Sequence, residues 1–360
     1  MADKKPNRGA SGCCLGCFAL LALLAGMLTL LLIGASVGAD GLVVGIIMAC
    51  LPVPLYVGLA LWIDRYEPEP PHLLLAAFLW GAGLAVFASY ILNTLNSSMF
   101  LEATHDAAAA SALGGILSAP LVEESTKGLC LLLLFFFKRK EFDGIVDGVV
   151  YATMVALGFA MTENIQYYGS ALKAGGDAAG AVFVLRGMLS PYSHPLFTSM
   201  TGIGLGWAAQ SDRWYVKLLA PPLGLMAAMA LHATWNLSAT IHIQAWLVSY
   251  LLIMLPAALC VAIILAFALA REGRLLRHHL AHELPPQELR SVSSVWGRIG
   301  YSIGRLFKKG PLGWLRSEQY LQVASELAFL RQRTARGFAA EPEQEQELRT
   351  RLHQLRSQIA

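Results

Sequence analysis

The sequence predicts an all-α, membrane-embedded bundle of about eight spanning helices with a helical cytoplasmic tail, and three observations carry that prediction. Of the 360 residues, 56% are hydrophobic and only 14% charged, and mean hydropathy is +0.54; a soluble domain carries about a quarter charged residues. Apolar stretches long enough to cross a bilayer, about 20 residues each, recur along the first three quarters of the chain. Charge is also uneven: residues 1–270 hold 12 Lys/Arg and 15 Asp/Glu, while residues 271–360 hold 15 and 9, a net +6.

Taken in order, residues 1–16 form a cytoplasmic N-terminal tail with Lys4, Lys5 and Arg8. The apolar run from Cys17 to Ala35 exceeds the 7–15 residues of a signal-peptide core, so it reads as a retained first helix. Spans are expected near 17–36, 42–62, 72–96, 112–137, 143–168, 181–210, 214–240 and 245–270. In lipid, backbone groups must pair within the segment, which makes these helices. Residues 17–270 are therefore the membrane core and 271–360 a basic amphipathic tail.

Alternate loops fix the expected orientation. Arg65, Lys138, Arg139, Lys140, Arg213, Lys217, Arg271, Arg274 and Arg277 fall on one side with the N-terminal cluster. The opposite loops hold only Lys173, so both termini are expected in the cytoplasm of a plasma-membrane protein. Pro52, Pro54, Pro120, Pro191, Pro195, Pro221, Pro222 and Pro256 are expected to kink or break helices. Asp143 and Asp147 are expected to cap and charge the start of the fifth span. The tail divides at Pro285-Pro286, Gly310-Pro311 and Pro342, and an apolar stripe through Tyr320, Val323, Leu327 and Leu330 suits an anionic leaflet or a partner helix, with a loosely ordered solvated tail as the equal alternative. Of six cysteines, Cys50, Cys130 and Cys260 lie in apolar runs as small hydrophobes. Cys13, Cys14 and Cys17 flank the first span, where acylation is one use and a plain thiol the other.

Chemistry is sought in the charged and titratable residues stranded inside spans: Glu123, Glu124 and Lys127 in the fourth, Glu163 and Asn164 in the fifth, His194 in the sixth, His232 and Asn236 in the seventh. Unpaired, the four charged groups would cost on the order of 10 kcal/mol, so they must find partners in the bundle interior. At about 1.5 Å per residue, Glu123 lies roughly 16 Å, Glu163 roughly 7 Å, His194 roughly 20 Å and His232 roughly 12 Å from the outer end of its span, depths that overlap and permit one site.

A carboxylate in a low-dielectric pocket has raised proton affinity and can take a proton from water. Neighbours in sequence point about 100° apart, so one of Glu123 and Glu124 acts on water while the other is held by Lys127, at i+4 and i+3. His232 and Asn236 share a helix face and can donate to a developing oxyanion. The same Glu and His residues can instead hold a divalent metal such as zinc, through Glu123, Glu163, His194 and His232, whose bound water is then the nucleophile.

These residues stand in an ordered set: Asp64-Arg65-Tyr66-Glu67-Pro68-Glu69-Pro70, Glu123-Glu124-x-x-Lys127, Phe142-Asp143-Gly144-Ile145-Val146-Asp147-Gly148, Gly158-Phe159-Ala160-x-x-Glu163-Asn164, His194-Pro195 with Thr198, and His232-x-x-x-Asn236. Over about residues 60–240 the set resembles the PrsW family of intramembrane proteases, distantly related to the CAAX-type prenyl endopeptidases. That resemblance implies proteolysis of a membrane-tethered regulator such as an anti-sigma factor, with Glu123, Glu124, Glu163, His194 and His232 as catalytic positions. Glu163 stands where the CAAX-type relatives usually carry His. The resulting expectation is a peptidase: Glu123 or Glu124 as base, His194 and Glu163 placing water, His232 and Asn236 on the oxyanion, Lys127 tuning the glutamates, Asn164 in support. The partners expected are the lipid bilayer and a single-pass membrane protein substrate, with no nucleic acid and the oligomeric state open. A proton-coupled transporter and a non-catalytic scaffold share the buried residues; the transporter's inverted repeat is not evident.

Overall fold

In the computed structural model, residues 8–337, 339 and 342–359 are described, with side chains from Gly16 onward, so the side chains of Cys13 and Cys14 lie outside the described residues. All regular structure among them is helical. In chain order the helices are α1 (Arg8–Cys50), α2 (Val53–Ile63), α3 (Pro71–Leu79), α4 (Val86–Thr104), α5 (Ala107–Leu113), α6 (Ala119–Phe137), α7 (Ile145–Lys173), α8 (Gly176–Phe183), α9 (Ser193–Gln210), α10 (Trp214–Ile241), α11 (Ile243–Ser249), α12 (Leu255–Leu280), α13 (Pro286–Val292), α14 (Val295–Ala335) and α15 (Pro342–Ile359). Among the described residues, five stretches are long and apolar enough to cross a membrane: Gly16–Ile63, Pro71–Thr104, Ile145–Lys173, Trp214–Ile241 and Ile243–Leu280. The first of these carries two expected spans and is broken at Gly38, whose φ of 81° only glycine adopts without strain.

Contacts divide the chain into two units: residues up to Ile63 with Glu69–Val261, and Asp64–Pro68 with Ala262–Ala360. In the first unit α7 is the central helix. Small residues let its neighbours touch its backbone: a Cβ on Gly148 would lie 2.1 Å from the Gly202 carbonyl oxygen in α9, and one on Gly158 2.1 Å from that of Phe78 in α3. By contrast α1 turns Leu20, Leu21, Leu23 and Leu31 outward, as a lipid-facing helix does.

Four π-helical turns interrupt the unit at Trp80–Ala85, Gly114–Ser118, Val184–Leu189 and Tyr250–Met254. Proline does not account for all the breaks. Pro221 and Pro222 lie within an unbroken α10, contrary to expectation, while no proline lies in any of the four π turns. The residue capping α7 is Gly144, not an aspartate; Asp147, in the first turn, accepts from the Asp143 backbone N–H at 2.9 Å.

The second unit has its own core. Tyr320, Val323, Leu327 and Leu330 are buried, and α14 packs on α13 and α15, so the stripe assigned to a leaflet or partner instead lies within the tail. Arg298 is buried too; it donates to the Val292 carbonyl at 2.7 Å and to the Arg65 carbonyl, and lies 4.5 Å over the Tyr66 ring. Burial pushes its guanidinium pKa down to about 10, which leaves it charged at neutral pH. Glu283 accepts from Arg331 at 2.8 Å and Arg349 at 3.1 Å.

Candidate active site

Local sequence sets the first side chains. Pro120 lies in the opening turn of α6, directly after the π turn, and the helix then presents Glu123, Glu124 and Lys127 to the interior. Lys127 is fully buried and donates to Glu124 Oε1 at 2.9 Å, one turn away. The other contacts of Glu124 come from distant chain: Thr198 Oγ1 of α9 donates to Oε2 at 2.9 Å, and His232 Nδ1 of α10 lies 3.1 Å from Oε1. Glu124 is thus saturated with donors and has no accessible surface.

Glu123 differs. Its Oε2 is buried without a hydrogen-bond partner, 3.6 Å from Lys127 Nζ and 4.0 Å from His232 Nε2. An orphaned carboxylate oxygen is costly inside a protein and calls for a partner such as a bound water, an ion or a reacting group. Of the two glutamates, therefore, the structure ties down Glu124 and leaves Glu123 bare.

His194 bridges two charged groups, with Nδ1 3.0 Å from Lys127 Nζ and Nε2 3.0 Å from Glu163 Oε2. Phe159 of α7 packs on His194 and receives Lys127 Nζ 4.0 Å from its ring centre. His232 stacks on Phe197, with ring centres 4.9 Å apart. These contacts fix both imidazoles.

Glu163 does not snorkel outward. Arg186 Nη2 donates to its Oε2 at 2.6 Å, Arg186 Nε donates to Asn164 Oδ1 at 2.6 Å, and the guanidinium lies 3.8 Å over the Tyr167 ring. Arg186 lies in the π turn before α9 and was not picked out from sequence, although a lone cation in Ala-Val-Phe-Val-Leu-Arg-Gly-Met-Leu is the same signal that marked Lys127. Thr198 had appeared only as part of a motif. Asn236 is placed elsewhere than expected: its Nδ2 donates to the Gly115 carbonyl at 2.8 Å, pinning α10 to the π turn before α6.

Glu123 and Glu163 line one cleft of about 620 Å³. Its walls are mixed, with polar side chains from Ser89, Asn93 and Ser97 in register along α4, Ser111 on α5 and Gln166 on α7. The cleft therefore joins the carboxylates to groups able to hold water or a peptide backbone.

The donor set fits a metal by spacing. One ligand atom each from Glu123, His194 and His232 lie within 4.8 Å of one another, and His232 has its Nδ1 on a carboxylate, the arrangement that orients a metal-bound imidazole. Glu163, expected among the ligands, is engaged by Arg186 and His194 instead. Lys127 is a competing cation at the same centre, so ligation by His194 requires one of its two present contacts to be released.

A model of the PrsW family of intramembrane metalloproteases matches residues 69–265, more than half the chain and the whole of this site. The chain belongs to the PrsW family. Among similar proteins, the protease PrsW of Geobacillus kaustophilus is 34% identical over 42% of this chain and 63% of its own length. That of Bacillus subtilis is 32% identical over 48% and 72%, and that of Oceanobacillus iheyensis 29% over 56% and 84%. The chain thus spans under two thirds of the length of the first of these PrsW proteins. No solved structure matches.

Proposed function

We propose that the chain is an intramembrane endopeptidase that hydrolyses a peptide bond of a membrane-tethered regulatory protein, such as an anti-sigma factor. The observation that carries this reading is the asymmetry of the glutamate pair, Glu124 saturated and Glu123 bare at the edge of a polar cleft. A transporter needs a relay across the membrane and a scaffold needs no bare carboxylate; a hydrolase needs a positioned base beside space for water and substrate.

In this reading Glu123 Oε2 takes a proton from water as the water oxygen attacks the scissile carbonyl. His232, with Nδ1–H held by Glu124 Oε1, stabilises the developing oxyanion from Nε2, beside Glu123 Oε2, in the form protonated at both nitrogens. Glu123 then gives the proton to the leaving nitrogen, the C–N bond breaks, and an acid and an amine result. Glu124 holds His232 in orientation, Lys127 neutralises the pair, and Arg186 with Glu163 holds His194. A divalent ion such as zinc, held by Glu123, His194 and His232, would supply Lewis-acid activation of the carbonyl and a more acidic water. The ladder of Ser89, Asn93 and Ser97 suits an unwound substrate segment, whose freed backbone groups need partners in the membrane. Eight crossings of the plasma membrane with both termini cytoplasmic accord with the placement of Lys and Arg in the loops.

The test compares new protein N-termini in cells carrying the wild type and cells carrying Glu123→Gln at matched abundance. Loss in the variant of cuts near the juxtamembrane residues of a few anchored proteins is expected. Identical termini in both strains under several stresses would remove the peptidase reading and favour transport or scaffolding.

A further inference from the structure

The first half of α14 wears its amphipathicity the wrong way round for a helix in water. Trp296, Gly300, Ile303 and Phe307 follow one another at i, i+4, i+7 and i+11 on a single stripe, and all four are exposed, Trp296 at 81% and Phe307 at 85%. The opposite face carries Arg298, Ser302 and Arg305, turned inward: Arg298 and Ser302 are buried, and Arg305 donates to the Ile359 carbonyl. Beyond the bend at Gly310, where φ is 68°, Leu312 and Leu315 extend the exposed apolar surface. Exposed patches of this kind mark an interaction face.

Charge selects the occupant. From Arg290 to Arg316 the chain holds six basic residues, Arg290, Arg298, Arg305, Lys308, Lys309 and Arg316, and no acidic one. Of these, Arg290, Lys308, Lys309 and Arg316 are exposed beside the apolar stripe. A second copy docked on this face would bring like charges together, whereas acidic lipid headgroups complement the cations while the acyl boundary takes Trp296, Ile303 and Phe307. The membrane is also near along the chain, since α14 begins shortly after α12, whose apolar part belongs to a stretch able to cross it.

We propose that Trp296–Leu315 is an in-plane anchor that binds the acidic-lipid surface of the leaflet on the tail's side of the membrane. The face differs from the Tyr320–Leu330 stripe, which is internal to the tail.

The test uses the full chain in vesicles, with its native cysteines replaced and a nitroxide placed at Phe307→Cys, and at Gln354→Cys as an exposed control in α15. With phosphatidylglycerol present, the label at 307 should show a several-fold higher ratio of oxygen to nickel-chelate accessibility than the label at 354. In phosphatidylcholine alone, or with Lys308→Glu and Lys309→Glu, that ratio should fall to the control value. An aqueous label at 307 in both lipids overturns the proposal, and so does a membrane-like label indifferent to acidic lipid. Spin–spin broadening at 307 that vanishes on dilution with unlabelled chain would assign the face to a second copy, and equally overturns it.

Discussion

Arg186 shows how a single residue governs the site without touching the bare carboxylate. Its guanidinium neutralises Glu163, and Glu163 in turn holds His194. Replacing it by Met leaves a largely buried carboxylate unpaired, a loss of about 3–5 kcal/mol in comparable pairs. Cleavage by Arg186→Met is expected to drop about 10–100-fold, as for partners that orient ligands, with Arg186→Lys recovering part of it. Elemental analysis of the same preparations separates two roles: His232→Ala should abolish any bound zinc, while Arg186→Lys should keep it. Most of this site was legible in the sequence, because charge inside an apolar span is expensive and stands out. What could not be read was division of labour within Glu123-Glu124, which depends on Thr198 and His232 arriving from other helices. The Asn236 side chain was misread for a related reason: helix periodicity gives its face, not the Gly115 carbonyl that meets it.

At the scale of elements, the position of the site rests on close approaches to α7. Gly148→Leu must move either α7 or α9, since its Cβ alone would fall 2.1 Å from a carbonyl oxygen. Such overpacking costs about 1–3 kcal/mol or more, and the variant is expected to accumulate poorly and to melt at lower temperature by a thermal aggregation assay. Gly176→Leu, where a Cβ meets nothing, should behave as wild type. Hydropathy locates such helices because burial in lipid needs long apolar runs. It does not register α6 or α9 by the same measure, since α6 carries Glu123, Glu124 and Lys127 and α9 is rich in Gly, Ser and Thr against its neighbours. The π turns left no sequence signal either, because a single widened turn changes the register of contacts without changing composition.

Across the whole molecule the two units obey different solvents. In the first, leucines point out and charges in, and in the second, outside the apolar outer face of α12 and the exposed apolar surface of α14, the order is that of a helical domain with an apolar core and ionic links. Those links make the tail acid-sensitive. Partial burial raises the Glu283 carboxyl, but hydrogen bonds from Arg331 and Arg349 outweigh it and hold the pKa below the ordinary carboxylate range. A folded-state pKa below the unfolded value adds stability above about pH 4.3, and that stability is lost as pH falls through the lower folded value. Amide exchange in α15 is therefore expected to rise beyond its intrinsic rate as pH falls below about 4.3, and Glu283→Gln should show the faster exchange already at neutral pH.

The widened turn at Gly114–Ser118 has a genetic consequence. A π turn holds one residue more than the α-helical turn it replaces, so removing a single codon there would heal the helix rather than break it. With the extra residue gone the turn closes as an α-helical one, so the segments on either side keep nearly their present phase about the axis and Ser111 stays on the cleft wall, while the local backbone that offers a carbonyl to Asn236 is rebuilt. An in-frame deletion at Gly114 or Gly115 would thus yield a chain that inserts and packs with Glu123 still facing the cleft wall, a tolerance that the same deletion within the regular turns of α7 would not share.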